Sequence, residues 1–157
     1  MSFITDNDYL VVIGQQALQI ASQASAENRA NSEAEAIEEM SSYLRTRYDV
    51  KQAFTPIQEP SEENPEPEDT RNRLLVMYTA DIALYHMAAS MPQKMGMDIR
   101  RERYERAVKW LEQVAAGKIV PDLPPAPPVT IDPEPDGSAS DGTATIWGGQ
   151  QKISNNW

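Results

Sequence analysis

The sequence predicts a mainly α protein: a small bundle of about four helices, with a long acidic, proline-rich loop inserted and an extended C-terminal arm able to form β structure. Three observations carry this. Apolar residues recur at three- and four-residue spacing in separate stretches; most of the 12 prolines fall in two segments, 59–69 and 121–136; and residues 137–156 are rich in Gly, Ser, Thr and Asn. Proline runs forbid helix interiors and favour extended backbone, so these segments are loop and arm. About a hundred residues remain for one modest core.

Asp6 is placed to cap a first short helix in which Tyr9, Leu10 and Ile13 fall at helical spacing, and Gly14 suits the left-handed stop after it. From Glu27 to Tyr48, the small or apolar residues Ala30, Ala34, Ile37, Ser41, Leu44 and Tyr48 step by four and three. Glu33, Glu35, Glu38 and Glu39 are left mostly to solvent, which describes an amphipathic helix. Its stop is expected near Tyr48, because Thr55-Pro56 lies just beyond and proline drives the preceding residue out of the helical region.

After the acidic loop, Asp69 or Thr70 caps a third helix whose Leu74, Met77, Asp81, Leu84, Tyr85 and Ala88 share one broad face, ending before Pro92. The fourth helix starts at Asp98 and runs through Tyr104, Val108, Leu111 and Ala115, with Gly117 as its C-cap. Lys118-Ile119-Val120 opens a strand-like exit. The expected domains are thus 1–123, helical with the acidic loop 56–69 inserted, and the arm 124–157. Ile146, Trp147 and Trp157 stand out in that arm as anchors for a partner, because tryptophan supplies the largest contact area per side chain.

A net charge of -10 argues against a protein that grips nucleic acid by neutralising phosphates. Without cysteine there is no disulfide framework and no thiolate metal site. The acidic start MSFITDNDYL does not resemble a signal peptide, and no apolar run approaches the ~18 residues of a membrane span, so a soluble, cytosolic chain is expected.

Candidates for chemistry are few, and neither enzymatic activity nor a cofactor is expected. The single histidine, His86, lies away from the apolar face of its helix and reads as a surface or interface residue. Asp6-Asn7-Asp8 begins like a calcium loop, but Val11 and Ala17 stand where its glycine and glutamate belong. The Arg-rich stretch 98–106 suggests nucleic acid until its spacing is read: Glu102 precedes Arg106 by four and Glu105 precedes Lys109 by four, the orientation that stabilises a helix surface.

Arg106 also lies four residues before Trp110, and the two are expected on an exposed flank, stacked or facing a neighbour. Asp81 is the unusual residue, a carboxylate on an apolar face, which costs several kcal/mol unless paired. Arg47 is the first choice of partner, with the hydroxyls of Tyr48 and Tyr104 and the guanidinium of Arg100 as alternatives.

Taken in order, Tyr43-Leu44-Arg45-Thr46-Arg47-Tyr48, Ala80-Asp81-Ile82-Ala83-Leu84-Tyr85, Arg103-Tyr104-Glu105 with Ala107 and Trp110-Leu111, and Gly117-Lys118-Ile119 resemble the Mu-like phage head-tail joining proteins, over residues 3–123. That resemblance implies a non-enzymatic helical adaptor in the virion neck, assembled in the host cytoplasm. It would form a ring with copies of itself, typically a dodecamer, between the portal and the tail or neck proteins. DNA would pass through the lumen without sequence-specific contact, and no membrane would be involved. Arg47, Tyr48, Asp81, Tyr85 and Tyr104 would be fold-defining, and periodicity puts all but Arg47 on inward faces. The rival expectation is a soluble phage assembly chaperone or partner-binding helical module.

Overall fold

The computed structural model describes residues 2–58, 60–89 and 97–128. Among them six helices form: α1 (Asp6–Val12), α2 (Gln15–Ala21), α3 (Ala26–Leu44), α4 (Val50–Ala53), α5 (Arg73–Ala89) and α6 (Met97–Ala115). The four expected helices are α1, α3, α5 and α6, and no strand occurs among the described residues. One compact unit spans Met1–Pro127. Ile146, Trp147 and Trp157 belong to a second unit, Pro128–Trp157, and lie outside the described residues.

Helix α5 is the axis of the body, and α1, α2, α3 and α6 all pack against it. It is buried on nearly every side: Leu75, Ala80, Ile82, Ala83, Leu84 and Met87 are fully enclosed. Leu74, which the sequence assigns to the apolar face, is exposed, as are Arg73 and Ala89 at the two ends of the helix. Each buried Leu, Ile or Met side chain stabilises the fold by about 1.5–3 kcal/mol. Ala36 on α3 and Ala107 on α6 are also fully buried; with no bulk beyond Cβ they let their helices approach α5 closely.

The caps differ from expectation in instructive ways. Thr5, not Asp6, caps α1: its hydroxyl accepts from the Asp8 N–H while the Asp8 carboxylate accepts from the Thr5 N–H, a reciprocal capping box. Gly14 has extended backbone (φ -64°, ψ 151°) and starts α2 rather than stopping α1. A helix entered through glycine carries no side-chain cap, which hides α2 from a search for capping residues. Asn72, rather than Asp69 or Thr70, caps α5, its side-chain oxygen accepting from the Leu74 and Leu75 N–H groups at 3.0 Å each.

Helix α3 buries the C-terminal part of the expected stripe, Ser41 and Leu44, and Tyr48 beyond the helix is buried too. Ala36, Met40 and Leu44 form its core face together with Glu33, while Ala30 and Ala34 are exposed. Both stripes have helical period, and the methionine decides between them, because Met40 removes far more apolar surface from water than an alanine. The helix ends at Leu44, short of Tyr48. Asp49 caps α4 through the N–H groups of Lys51 and Gln52, and its extended backbone excludes a continuing α3.

At the end of α6, Gly117 takes the left-handed conformation (φ +71°) expected of it. The Gly117 N–H donates to Val114 O and the Lys118 N–H to Gln113 O, a Schellman closure. The chain then returns across the end of α3. Tyr48 and Pro125 form an isolated antiparallel bridge, the Asp49 N–H donates to Pro124 O, and the Ala126 N–H donates to Arg47 O. Residues 124–126 therefore belong to the body, and the compact unit continues past 123.

Candidate interaction surface

Three polar seams tie the helices together. In the first, Asp81 is 3% exposed and accepts from Arg103 Nε at 2.6 Å. Burial raises the Asp81 pKa, and the Arg103 hydrogen bond and charge offset this only in part. Arg47, the expected partner, lies elsewhere: it is exposed at the exit of α3, its guanidinium against Gly117. Arg103 belongs to α6, and helical periodicity puts it in line with the buried Ala107, Trp110 and Val114. That register is the signal for it in the sequence. Arg100 is close enough to act on Asp81 electrostatically, and its own pKa is lowered by burial and then by repulsion from Arg103.

The second seam joins α3, α5 and α6. Glu39 accepts from the Tyr104 hydroxyl at 2.7 Å, and its other oxygen lies 2.9 Å from His86 Nε2. Burial, then the Glu39 hydrogen bond, pushes the Tyr104 hydroxyl well above the usual phenol range, so it acts as a neutral donor. Tyr85 and Tyr104 stack with centroids 4.2 Å apart and planes 16° from parallel, an arrangement worth about 0.5–1.5 kcal/mol. His86 is thus a half-buried seam residue, and Tyr85 and Tyr104 meet as side chains of one cluster. Asp81 is one turn away from Tyr85 on α5, whereas Arg47 and Tyr48 lie beyond the C-terminal end of α3 with the returning chain.

The third seam fastens the N-terminus. Arg71, 8% exposed, meets Asp8 and Asp69 at 2.8 Å each and donates to the Phe3 carbonyl. Beside it, Glu33 accepts from the Tyr9 hydroxyl, Arg29 and Ser2. Glu33 was expected in solvent, and its burial is compatible with charge because these donors replace water. Burial, then the Glu33 charge, raises the Tyr9 pKa far above its ordinary value.

Of the expected Arg106–Trp110 interface pair, Arg106 is exposed and Trp110 is not. Trp110 is 7% exposed and packs on Tyr78 with centroids 5.0 Å apart, because position 110 falls on the buried flank of α6. Arg106 pairs with Glu102 at 3.3 Å. A concave apolar surface lies on α3, apart from the singly exposed Leu10, Val11, Ile20 and Ile99. Two hollows lie along its outward side, one of about 420 Å³ lined by Phe3, Ala30, Ala34, Ile37, Phe54 and Pro56, and one of about 370 Å³ lined by Ile37, Ser41, Arg45, Val50, Lys51 and Phe54. Ile37 and Phe54 wall both, so the hollows form one groove. Its floor is the stripe of Ala30, Ala34, Ile37 and Ser41 that the sequence marks as apolar.

A further, polar cleft of about 630 Å³ lies between Gln52, Thr55, Asn72 and Asp122. Among the described residues no group of His, Cys, Asp and Glu is arranged to hold a metal ion, and no helix is long and apolar enough to cross a membrane.

The family model described as Bacteriophage Mu, Gp36 matches residues 3–137. It continues past the expected limit at 123, in keeping with the pairing of residues 124–126 to the body. No curated protein and no solved structure matches the chain.

Proposed function

The chain belongs to the bacteriophage Mu Gp36 family, and from that premise we propose that it is a non-enzymatic structural part of the phage particle. It closes with copies of itself into a ring between portal and tail, and DNA passes through the lumen. The observation that carries this reading is the groove on α3. A helix that buries one face in its own core and leaves a second apolar face open has surface suited to another protein. The charge agrees: at -10 the chain repels phosphate and lets a duplex slide rather than holding it. The neck of the virion is the corresponding location.

The test is the mass of the purified full chain, alone and with portal protein, together with its presence in purified particles. A closed oligomer retained on portal-bearing heads is expected. A monomer absent from finished particles would overturn the adaptor and favour an assembly chaperone.

A further inference from the structure

We infer that the groove on α3 receives the C-terminal arm of a neighbouring copy, with Ile146 and Trp147 seated against Ile37 and Phe54. This deepens the ring reading and rests on it. The groove is lined by Phe3, Ala30, Ala34, Ile37, Phe54 and Pro56, with polar groups from Ser2, Glu33, Glu38, Ser41, Arg45 and Lys51 beside them, so a slim segment with an apolar centre suits it. The chain supplies one outside its helices, the dipeptide Ile146-Trp147 amid Gly, Ser and Thr.

Three further observations favour that occupant. The described chain is last tied to the body at Arg47, whose O accepts from the Ala126 N–H, two residues along the chain from the groove-lining Arg45. Reach is ample: the roughly twenty residues from Pro128 to Trp147 extend to ~65 Å, against ~28 Å for the 19 residues of α3. Seven prolines lie between 121 and 135, and such a composition favours extended backbone, which suits a segment that reaches a neighbour.

Charge is complementary as well. Residues 129–147 contain Asp132, Glu134, Asp136 and Asp141 and no Lys or Arg, whereas Lys51 and Arg45 line the near end of the groove, Arg45 paired there with Glu38 at 2.6 Å. Lys51 is the cation at that end that can meet the acidic arm, and the apolar pair supplies the contact area.

Because the chain has no cysteine, single-cysteine variants test this cleanly. Full-length Ala34→Cys is mixed with full-length Ile146→Cys and oxidised, and mixed disulfide dimers are quantified by non-reducing gel and mass spectrometry. Glu112→Cys, exposed on α6, replaces Ala34→Cys in the control. A several-fold excess of the 34–146 dimer over the 112–146 dimer is expected. The proposal is overturned if the two yields are equal. It is equally overturned if the double variant Ala34→Cys/Ile146→Cys links only within one chain, which would put the arm on its own body. Native mass separates this failure from that of the adaptor: oligomers without the 34–146 link leave the ring reading standing and point to another occupant, whereas a monomer without the link sinks both.

Discussion

Asp81→Asn keeps the shape of the side chain and removes the charge that Arg103 meets at 2.6 Å. Breaking a fully buried pair costs about 3–5 kcal/mol; because Arg103 keeps a route to water, the expected loss is about 1–3 kcal/mol, read as a fall in denaturation midpoint. Unchanged stability would show that the pair does not hold α6 to α5. Acid acts on the seams in opposite directions. Hydrogen bonding from Arg71 lowers the Asp69 pKa from 3.8 to about 2, and its stabilisation, complete above the unfolded value, is lost as pH falls through that window. For Asp8, burial opposes the charge, yet bonds from Arg71 and Thr5 hold its pKa below the ordinary value, so it behaves the same way. Asp81, raised by burial, gains from protonation. Denaturant titration between pH 3.8 and about 2 should therefore show falling stability, and Asp69→Asn should flatten that slope.

At the level of elements, two turns invite opposite substitutions. Gly117 closes α6 at φ +71°, so Gly117→Ala should destabilise by about 1–2 kcal/mol in chemical denaturation. The added Cβ would also press on the Arg47 guanidinium, at 2.8 Å, but the end of a flexible side chain can move aside. Between α2 and α3, Ala24 holds φ +53° without being glycine. Ala24→Gly should therefore raise stability by about 0.5–1 kcal/mol, the relief of the left-handed strain outweighing the entropy of the more flexible unfolded chain. No gain would mean that the turn relaxes at no cost. Gly117 was legible because a glycine after a periodic run reads as a stop. Gly14 looked the same and opened a helix instead, since the next apolar residues also had a core to enter.

For the whole molecule, the position of the arm boundary is measurable. Truncation after Pro127 should leave the thermal midpoint nearly unchanged, because the compact unit ends there. Truncation after Leu123 removes the Pro124–Ala126 pairing to Arg47 and Asp49 and uncovers Tyr48. Two backbone bonds at about 0.5–1.5 kcal/mol each give an expected loss of about 1–3 kcal/mol. Equal midpoints for the two truncations would show that the returning segment adds nothing. In the ring reading, either truncation removes Ile146 and Trp147 and should abolish stable joining.

The sequence alone determined the helical class, the positions of α1, α3, α5 and α6, the closure at Gly117 and the oddity of a carboxylate at Asp81, all of which follow from spacing within one segment. It marked Ala30, Ala34, Ile37, Ser41, Leu44 and Tyr48 as a small or apolar stripe, but the tertiary structure decided that Ala30 and Ala34 stay open while Ser41, Leu44 and Tyr48 are buried and Ala36 and Met40 join them in the core. The reason is geometric. Adjacent residues on a helix point 100° apart, so periodicity draws two overlapping faces on α3, and only the partners on α5 and α6 choose between them. The same limit hid Arg103, Glu39 and Arg71, whose partners lie 22, 65 and 63 residues away along the chain. A charge that looks solvated within its own helix becomes a seam residue only when a second helix arrives.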